Sequence, residues 1–428
     1  MIDTLRLTIP SDRFDSLVLR WMQMQQHKLT KSDFLGKTND WSLITGLEIP
    51  SWFDGFSLQI GSRVTIEASP KIYQGHNITG SDNLLEAASL LIDFIFGVVL
   101  RLDSTYGPTW PPAADWYVAR MDITYNYDFP SYEALDVWMD TVMGVQRGQR
   151  RAGVEHRAEE GESRPFACDA MPSGRTLYIG KGSRYRVGKI YPKGRDLLAH
   201  PPRSIRFHPE IVSELAAEFA SCGRFEDQIR AAWLSRNAVK LGILPQHFAG
   251  LPSAIQAENA SVYFRDLGIE PLHSKNKKQP IIYFPVGYLS QTLNHSLVWE
   301  SEFRHLFNTE AAMNDATLMK KLLELAPTPG RAAKAYDFYL RVRGAGFTIA
   351  RQTVGKSMYY NHRKLLNAAG VSDAMLQDGA PLVRHAVDPV KVRLWNPVSD
   401  RLRLVEEMHR LSLRGDVDRL HTEVFKAA

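Results

Sequence analysis

The sequence predicts an α+β chain, with strands and helices mixed through its first half and helices dominating its end. Three observations carry this. Trp116–Tyr127 alternates between an apolar and a polar face, Arg63–Ser69 alternates in the same way, and beyond Tyr288 the pattern is mainly helical. A length of 428 residues suggests two or three domains. The expected division is a sheet-bearing domain over 1–245, a connecting region over 246–287 and a helical domain over 288–428. Character changes near 245, and Leu251–Pro285 is loop-rich with a basic run at Lys275–Lys278.

The elements follow in order. Met1–Pro10 alternates like a strand, and Arg63–Ser69 is a half-buried strand that leads through Pro70 to the turn Gln74-Gly-His-Asn77. Ser81–Leu100 is expected as a helix capped by Ser81 or Asp82. A Pro-rich connection, Tyr106–Pro112, precedes the strand Trp116–Tyr127. That strand packs Tyr117, Ala119, Met121, Ile123, Tyr125 and Tyr127 on one face and carries Arg120, Asp122, Thr124 and Asn126 on the other. A helix over Ser131–Val145, capped by Ser131, is followed by an exposed, charge-mixed loop over Gly148–Pro165. Pro209–Ala220 is helical. Cys222–Arg230 is a strand or a helix start, and as a strand it would share Arg224, Glu226, Gln228 and Arg230 on one face.

Composition excludes several classes. Hydrophobic content of 44% with 23% charged residues is ordinary for a globular protein, and a net charge of +5 permits nucleic-acid binding without demonstrating it. Two cysteines, Cys168 and Cys222, supply neither a disulfide framework nor zinc spacing, which fits a reduced, intracellular location. The N-terminus lacks the regions of a signal peptide. The longest apolar run, Ala87–Leu100, is short for a membrane span and contains Asp93, so a buried helix in a soluble protein without a membrane partner is expected.

The most informative stretch is Thr176–Asp196. It sets Tyr191 between Lys189 and Lys193 at the spacing that shares one face of a strand, a phenol flanked by two ammonium groups. From Arg175 to Arg206 nine Lys/Arg accompany one acid, Asp196. A solvated basic strand with a packing tyrosine would also produce this pattern. Asp122, Glu226 and the Lys189/Tyr191/Lys193 set could together serve phosphodiester chemistry. A divalent cation on hard oxygens, with or without one imidazole, would polarise the phosphate, the tyrosine would attack, and lysines would neutralise the developing charge. His76 is the candidate imidazole, and no His-X-His pair is present.

These residues carry a family pattern. The chain resembles the gene II (and X) replication initiators of filamentous phages in Met1-Ile-Asp-Thr-Leu-Arg-Leu7, in Glu67-Ala-Ser-Pro70 through Gln74-Gly-His-Asn77 with Gly80, and in Ala119-Arg-Met-Asp122. Gly223-Arg-Phe-Glu226 and Pro381-Leu-Val-Arg384 continue the order, so the resemblance covers nearly the whole chain. Leu177-Tyr-Ile-Gly180, Ile190-Tyr-Pro-Lys193 and Arg224-Phe-Glu226 are similar to plasmid rolling-circle initiators. The resemblance implies an N-terminal antiparallel-sheet nicking domain of the HUH-like type with flanking helices. It implies an enzyme that nicks one strand of a double-stranded origin through a 5′-phosphotyrosine, leaves a 3′-hydroxyl primer, and later cleaves and rejoins the displaced strand. Magnesium or manganese would be the cofactor. Origin DNA, the displaced strand, and a host helicase and polymerase would be the partners, in the host cytoplasm. Carried over, Tyr191 is the nucleophile, Lys193 and Lys189 its electrostatic partners, and Asp122, Glu226 and His76 the metal ligands. The chain departs from the two-histidine motif of the wider superfamily, which puts the metal shell in doubt. Tyr178, between Leu177 and Ile179, suits packing. Tyr185, between Arg184 and Arg186 in a hairpin turn, suits DNA contact, as do Lys181, Arg184, Arg186, Arg120 and Arg224, and Tyr178 and Tyr185 stay open as the nucleophile or a second one.

In the C-terminal part, Ala332–Gly344 reads as a helix ending at glycine, and Val354–Gly370 as a second helix packing Tyr359, Leu365 and Leu366. Lys356, Arg363 and Lys364 point elsewhere. The pair suits a helix-turn-helix entering a major groove, and equally an amphipathic pair with a wet basic face. Two further functional readings stay open: a non-catalytic, sequence-specific DNA-binding protein of the same fold, and a metal-dependent nuclease that uses water.

Overall fold

The protein is described here by a computed structural model covering residues 1–34, 43–44, 55–100, 102, 110–142, 146–147, 150–155, 176–274, 280–303, 306, 315–371, 376, 393–394 and 399–413. Its strands are β1 (Ile2–Pro10), β2 (Leu43–Ile44), β3 (Phe56–Ile60), β4 (Arg63–Ala68), β5 (Tyr117–Asp128), β6 (Gln146–Arg147) and β7 (Arg150–Glu155). They continue with β8 (Thr176–Ile179), β9 (Arg186–Pro192), β10 (Cys222–Arg230), β11 (Leu272–His273), β12 (Ile282–Pro285) and β13 (Arg393–Leu394). Across the sheet the order is β2-β3-β4-β1-β5-β10-β9-β8-β7-β6. Among the described residues the pairings are antiparallel except for β2 beside β3. The sheet is therefore the antiparallel one expected, and Cys222–Arg230 resolves as its strand.

The period-2 alternation of β5 divides the sheet into two unlike faces. Met121 and Ile123 on β5, Phe225 and Ile229 on β10 and Ile190 on β9 enter one continuous apolar core. Helix His295–Phe303 lies on that face, with Trp299 and Phe303 against the Phe225 ring at centroid distances of 6.0 and 5.5 Å. Ile282, Phe284, Val286 and Leu289 join the same core, and β12 pairs with β5 beyond the end of β10. Helices Asp315–Leu325, Pro329–Ala345, Phe347–Gln352 and Lys356–Ala368 gather around a second core that includes Leu322, Phe338, Tyr359 and Leu366. The architecture is thus an antiparallel sheet with helices, followed by a mainly helical region. Helix Asp400–Leu413 then returns to the sheet-bearing part, burying Leu402, Val405 and Met408 with Ile78, Leu215 and Phe219.

Several local expectations are corrected. The helix expected from Ser81 starts at Leu84, because the Asn83 side chain accepts from both Leu85 N and Glu86 N; beyond Asp93 it widens into a π-helical turn, Phe94–Val99. Residues 150–155 of the expected loop form β7, paired with β8. Leu251–Pro285 is not loop-rich throughout, since Ser253–Asp266 is a helix. The helix expected to end at Gly344 runs to Ala345 and stops at Gly346, whose φ of 85° is left-handed. Between this helix and the next, Phe347–Gln352 forms a further short helix. The helix capped by Ser131 runs Tyr132–Val142, with Ser131 Oγ accepting from Ala134 N. Residues 106–109 of the Pro-rich connection, 143–145, 148–149, 156–175 with Cys168, Lys275–Lys278 and Pro381–Arg384 lie outside the described residues.

Candidate active site

The second face of the sheet collects the predicted chemistry. Antiparallel register sets Tyr191 opposite Arg224 and Arg224 opposite Asn126; one row along, Lys189 is opposite Glu226 and Glu226 opposite Thr124. Directly opposed residues project to the same side, so these two rows form a single surface. Tyr178 of β8 extends the second row, opposite Lys189, so it belongs to this polar face rather than to the apolar one. A polar sheet face ordinarily meets water. This one does not: Asp122, Thr124, Arg224 and Glu226 are fully buried, and Tyr191 is only 7% exposed.

Burial without water obliges each charge to find a partner. Arg120 clamps Asp122 through Nε and Nη2 (2.9 and 2.5 Å) and reaches Glu67 on β4 through Nη1 at 2.6 Å. Lys189 binds Glu226 Oε1, while the Tyr191 hydroxyl donates to Glu226 Oε2 at 3.5 Å. Arg224 bridges Asp3 on β1 (2.8 Å) and the Asn126 amide oxygen (3.2 Å). Arg224 Nε has no hydrogen-bond partner among the described residues, an orphaned buried donor beside Tyr191.

Lys193 corrects the strand reading. β9 stops at Pro192, and Lys193 opens the short helix Lys193–Ala199, so it does not follow the alternation. The chain turns there because Gly194 packs against the helix Pro209–Glu218, where a Cβ would meet Ala216 O at 2.5 Å. Lys193 Nζ still lies 5.8 Å from the Tyr191 ring centroid, held by Asp196 (2.6 Å) and Asn77 (3.1 Å).

Asn77 and His76 reach this face from the turn after β4. Gln74 Nε2 donates to the carbonyls of His76 and Thr79, and Gly75 is left-handed (φ 85°) with His409 packed where a Cβ would stand. Ile78 N donates to His76 Nδ1 (3.3 Å), so Nε2 carries the proton and donates to Glu406 at 3.0 Å. Glu406 comes from helix Asp400–Leu413, more than three hundred residues along the chain.

The electrostatics follow from burial. Desolvation pushes the Tyr191 phenol well above its ordinary value, with Arg224 pulling the other way. Desolvation also raises Glu226, but Lys189, Arg120 and Arg224 together outweigh it and keep this carboxyl below its ordinary value and ionised. Asp122 is pushed up to about 7 by burial, against the pull of Arg120. Lys193 is lowered by burial, and His76 likewise, so its imidazole is neutral.

The three residues expected to hold a metal do not make a fitting donor set in this arrangement. Both Asp122 oxygens serve Arg120, both Glu226 oxygens serve Lys189 and Tyr191, and both His76 nitrogens are engaged. Among the described residues no group of three or more His, Cys, Asp or Glu side chains is disposed to hold an ion.

The residues expected to touch DNA separate. Arg186 points to the opposite face, buried against Asp227 (2.5 and 2.7 Å) with Glu302 nearby, and Arg120 and Arg224 are enclosed in the network. Lys181, Arg184 and Tyr185 occupy the hairpin between β8 and β9, with Lys181 over the Tyr178 ring at 5.3 Å and Arg184 over Tyr185 at 4.9 Å. On helix Lys356–Ala368, Lys356 and Lys364 are exposed and Arg363 is half-buried, while Tyr359 and Leu366 are buried and Leu365 packs beside them. Sequence reasoning missed Asp3, Glu67, Asn77, Asp196 and Glu406. Asp3, Glu67 and Asn77 stand inside the quoted motifs, and Asp196 is the lone acid of a basic stretch. Glu406 carries no local signal.

Neither the curated proteins nor the solved structures yield a match to this chain. Residues 1–244 match the family described as the N-terminal part of the phage replication-associated gene II protein, and that span contains β1 to β10 and every partner in the Tyr191 network except Glu406. Family membership implies a replication initiator endonuclease that binds origin DNA, and it suggests metal dependence. Among the described residues no helix is long and apolar enough to cross a membrane. The chain belongs to the phage replication-associated gene II protein family.

Proposed function

We propose that this protein nicks one strand of a double-stranded phage origin through Tyr191 and later cleaves and rejoins the displaced strand. The observation that carries the reading is the Tyr191 hydroxyl 3.5 Å from a carboxylate that Lys189 keeps ionised. Tyr191 Oη attacks phosphorus, its proton passes to Glu226, and a bond forms to the 5′-phosphate. The P–O3′ bond breaks, and the leaving oxygen takes a proton from Lys193, whose hold on it burial has weakened. Arg224, with its orphaned Nε, and Lys193 stabilise charge on the phosphoryl oxygens. Rejoining runs the same steps in reverse. Because Tyr191 is only 7% exposed, a phosphodiester reaches it only when the segments around it move aside.

The metal that the family suggests, Mg²⁺ or Mn²⁺ in this reading, would have to draw Asp122 or Glu226 away from its cation, so the steps above use protein groups alone. The domain division proposed is a nicking domain over 1–245, a connecting region over 246–287 and a DNA-binding helical domain over 288–428, with Lys356, Arg363 and Lys364 on the helix that enters a groove.

The burial of Tyr191 favours a second reading, a DNA-binding replication protein without cleavage. Supercoiled origin DNA incubated with the protein and Mg²⁺ separates the two. Nicking with a covalent adduct mapped by mass spectrometry to the Tyr191 peptide supports the first, and tight origin binding without nicks supports the second. Nicking without an adduct indicates attack by water and removes Tyr191 from the chemistry.

A further inference from the structure

A cleft of about 870 Å³ lies beyond the start of β9, between the β8–β9 hairpin, the residues after β10 and the segment 246–251. Three cations line it, Arg184, Arg236 and Lys240, and its lining contains no acid. All three are exposed. Tyr185 stands half-buried in the wall with two guanidinium groups over its ring, Arg184 at 4.9 Å and Arg236 at 5.6 Å from the centroid. Arg184 also donates to the Tyr185 hydroxyl at 2.8 Å. Ser235, Gln246 and Gln256 add neutral hydrogen-bonding groups. A π-surface ringed by cations, with no acid among the described lining residues, suits a ligand that is planar and anionic at once.

The cleft is tied to the candidate active site by β9 itself. Tyr185 O accepts from Arg230 N at 3.1 Å, one step beyond the Arg186–Ile229 pair, so Tyr185 continues the ladder that contains Tyr191. Six residues of extended chain separate the two tyrosines, about 20 Å. β9 itself is buried along its length, so a single strand would pass over the segments that cover it, with a phosphodiester at Tyr191 and a nucleotide a few positions away in the cleft.

We propose that this cleft binds a nucleotide of single-stranded DNA flanking the cleaved bond, with its base on Tyr185 and its phosphates on Arg184, Arg236 and Lys240. The inference rests on the nicking reading for its orientation, but not for the binding itself. The test uses full-length protein carrying Tyr191→Phe, so that cleavage cannot intervene, with fluorescein-labelled dT12 and free dTTP as probes.

Adding Arg236→Ala and Lys240→Ala should lower dT12 affinity at least tenfold. It should also flatten the dependence of log K on log salt by about 1.4, the share of two phosphate contacts on a single strand. Tyr185→Ala should cost about tenfold and Tyr185→Phe much less, because stacking needs the ring and not the hydroxyl. Unchanged dT12 affinity and salt slope in the Arg236/Lys240 variant would overturn the proposal, and so would binding of dTTP without dT12. If the wild-type protein forms no covalent adduct while the cleft variants still lose dT12, the nicking reading falls and the cleft stands.

Discussion

Tyr191 and Glu226 meet across neighbouring strands with the phenol hydroxyl 3.5 Å from one carboxylate oxygen, while Lys189 holds the other. The pair combines opposed demands. Burial makes the phenol hard to ionise, and the same enclosed face keeps a charged acceptor beside it.

If Glu226 takes the phenol proton, Glu226→Gln should slow single-turnover cleavage of origin DNA by about 10²–10⁴-fold. Tyr191→Phe should abolish the adduct altogether. Rapid-quench rates check both, and wild-type cleavage by Glu226→Gln would remove the base role.

Arg224 and Asp3 are both fully buried, so breaking the pair leaves an uncompensated charge. Arg224→Met should destabilise the protein by about 3–5 kcal/mol. The double variant with Asp3→Leu should recover much of that loss. Denaturant midpoints of the two single variants and the double close the cycle, and additive losses would show that the two charges are not coupled.

His76 binds its proton less readily folded than its ordinary value of 6.5 requires, because burial disfavours the imidazolium. The unfolded chain is protonated first, so stability present above about pH 6.5 should decline as pH falls below it. His295, pushed down to about 4 by burial, adds to the decline. Asp196 adds a later loss. Burial pushes its carboxyl up, but Lys193, His200 and Lys71 together outweigh this and hold it below its ordinary 3.8, so its contribution disappears as pH drops through the acid range. Urea midpoints between pH 8 and pH 5 should show a shallower slope for His76→Gln than for wild type.

Lys356 and Lys364 sit exposed on one helix. If both meet phosphates of duplex origin DNA, replacing them with alanine should reduce the salt slope of binding by about 1.8. Discrimination between origin and unrelated DNA should stay unchanged, because phosphate contacts carry no sequence information. Titrations at several salt concentrations measure both, and an unchanged slope would leave the helix pair as an amphipathic pair with a wet basic face.

Alternation made much of the sheet legible. Arg120, Asp122, Thr124 and Asn126 share a face of β5 as their spacing requires, and β10 presents Arg224, Glu226 and Gln228 toward it. What misled was local continuation. Spacing alone continues the strand through Lys193, but Pro192 ends β9 and Gly194 turns the chain against a neighbouring helix. Ser81 and Asp82 looked like caps, yet Asn83 supplies the oxygen that reaches Leu85 N and Glu86 N.

The sequence alone determined that Met1–Pro10, Arg63–Ser69 and Trp116–Tyr127 form strands, the two faces of β5, and the placing of Lys189 and Tyr191 on one strand face, because a period of two is a property of the backbone. Only the tertiary structure decided that the polar face is sealed from water, that each carboxylate there answers to a cation, and that His76 answers to Glu406. Those outcomes depend on which distant segments cover the sheet. A residue's neighbours in sequence set the direction of its side chain, and what the side chain then meets is set by packing.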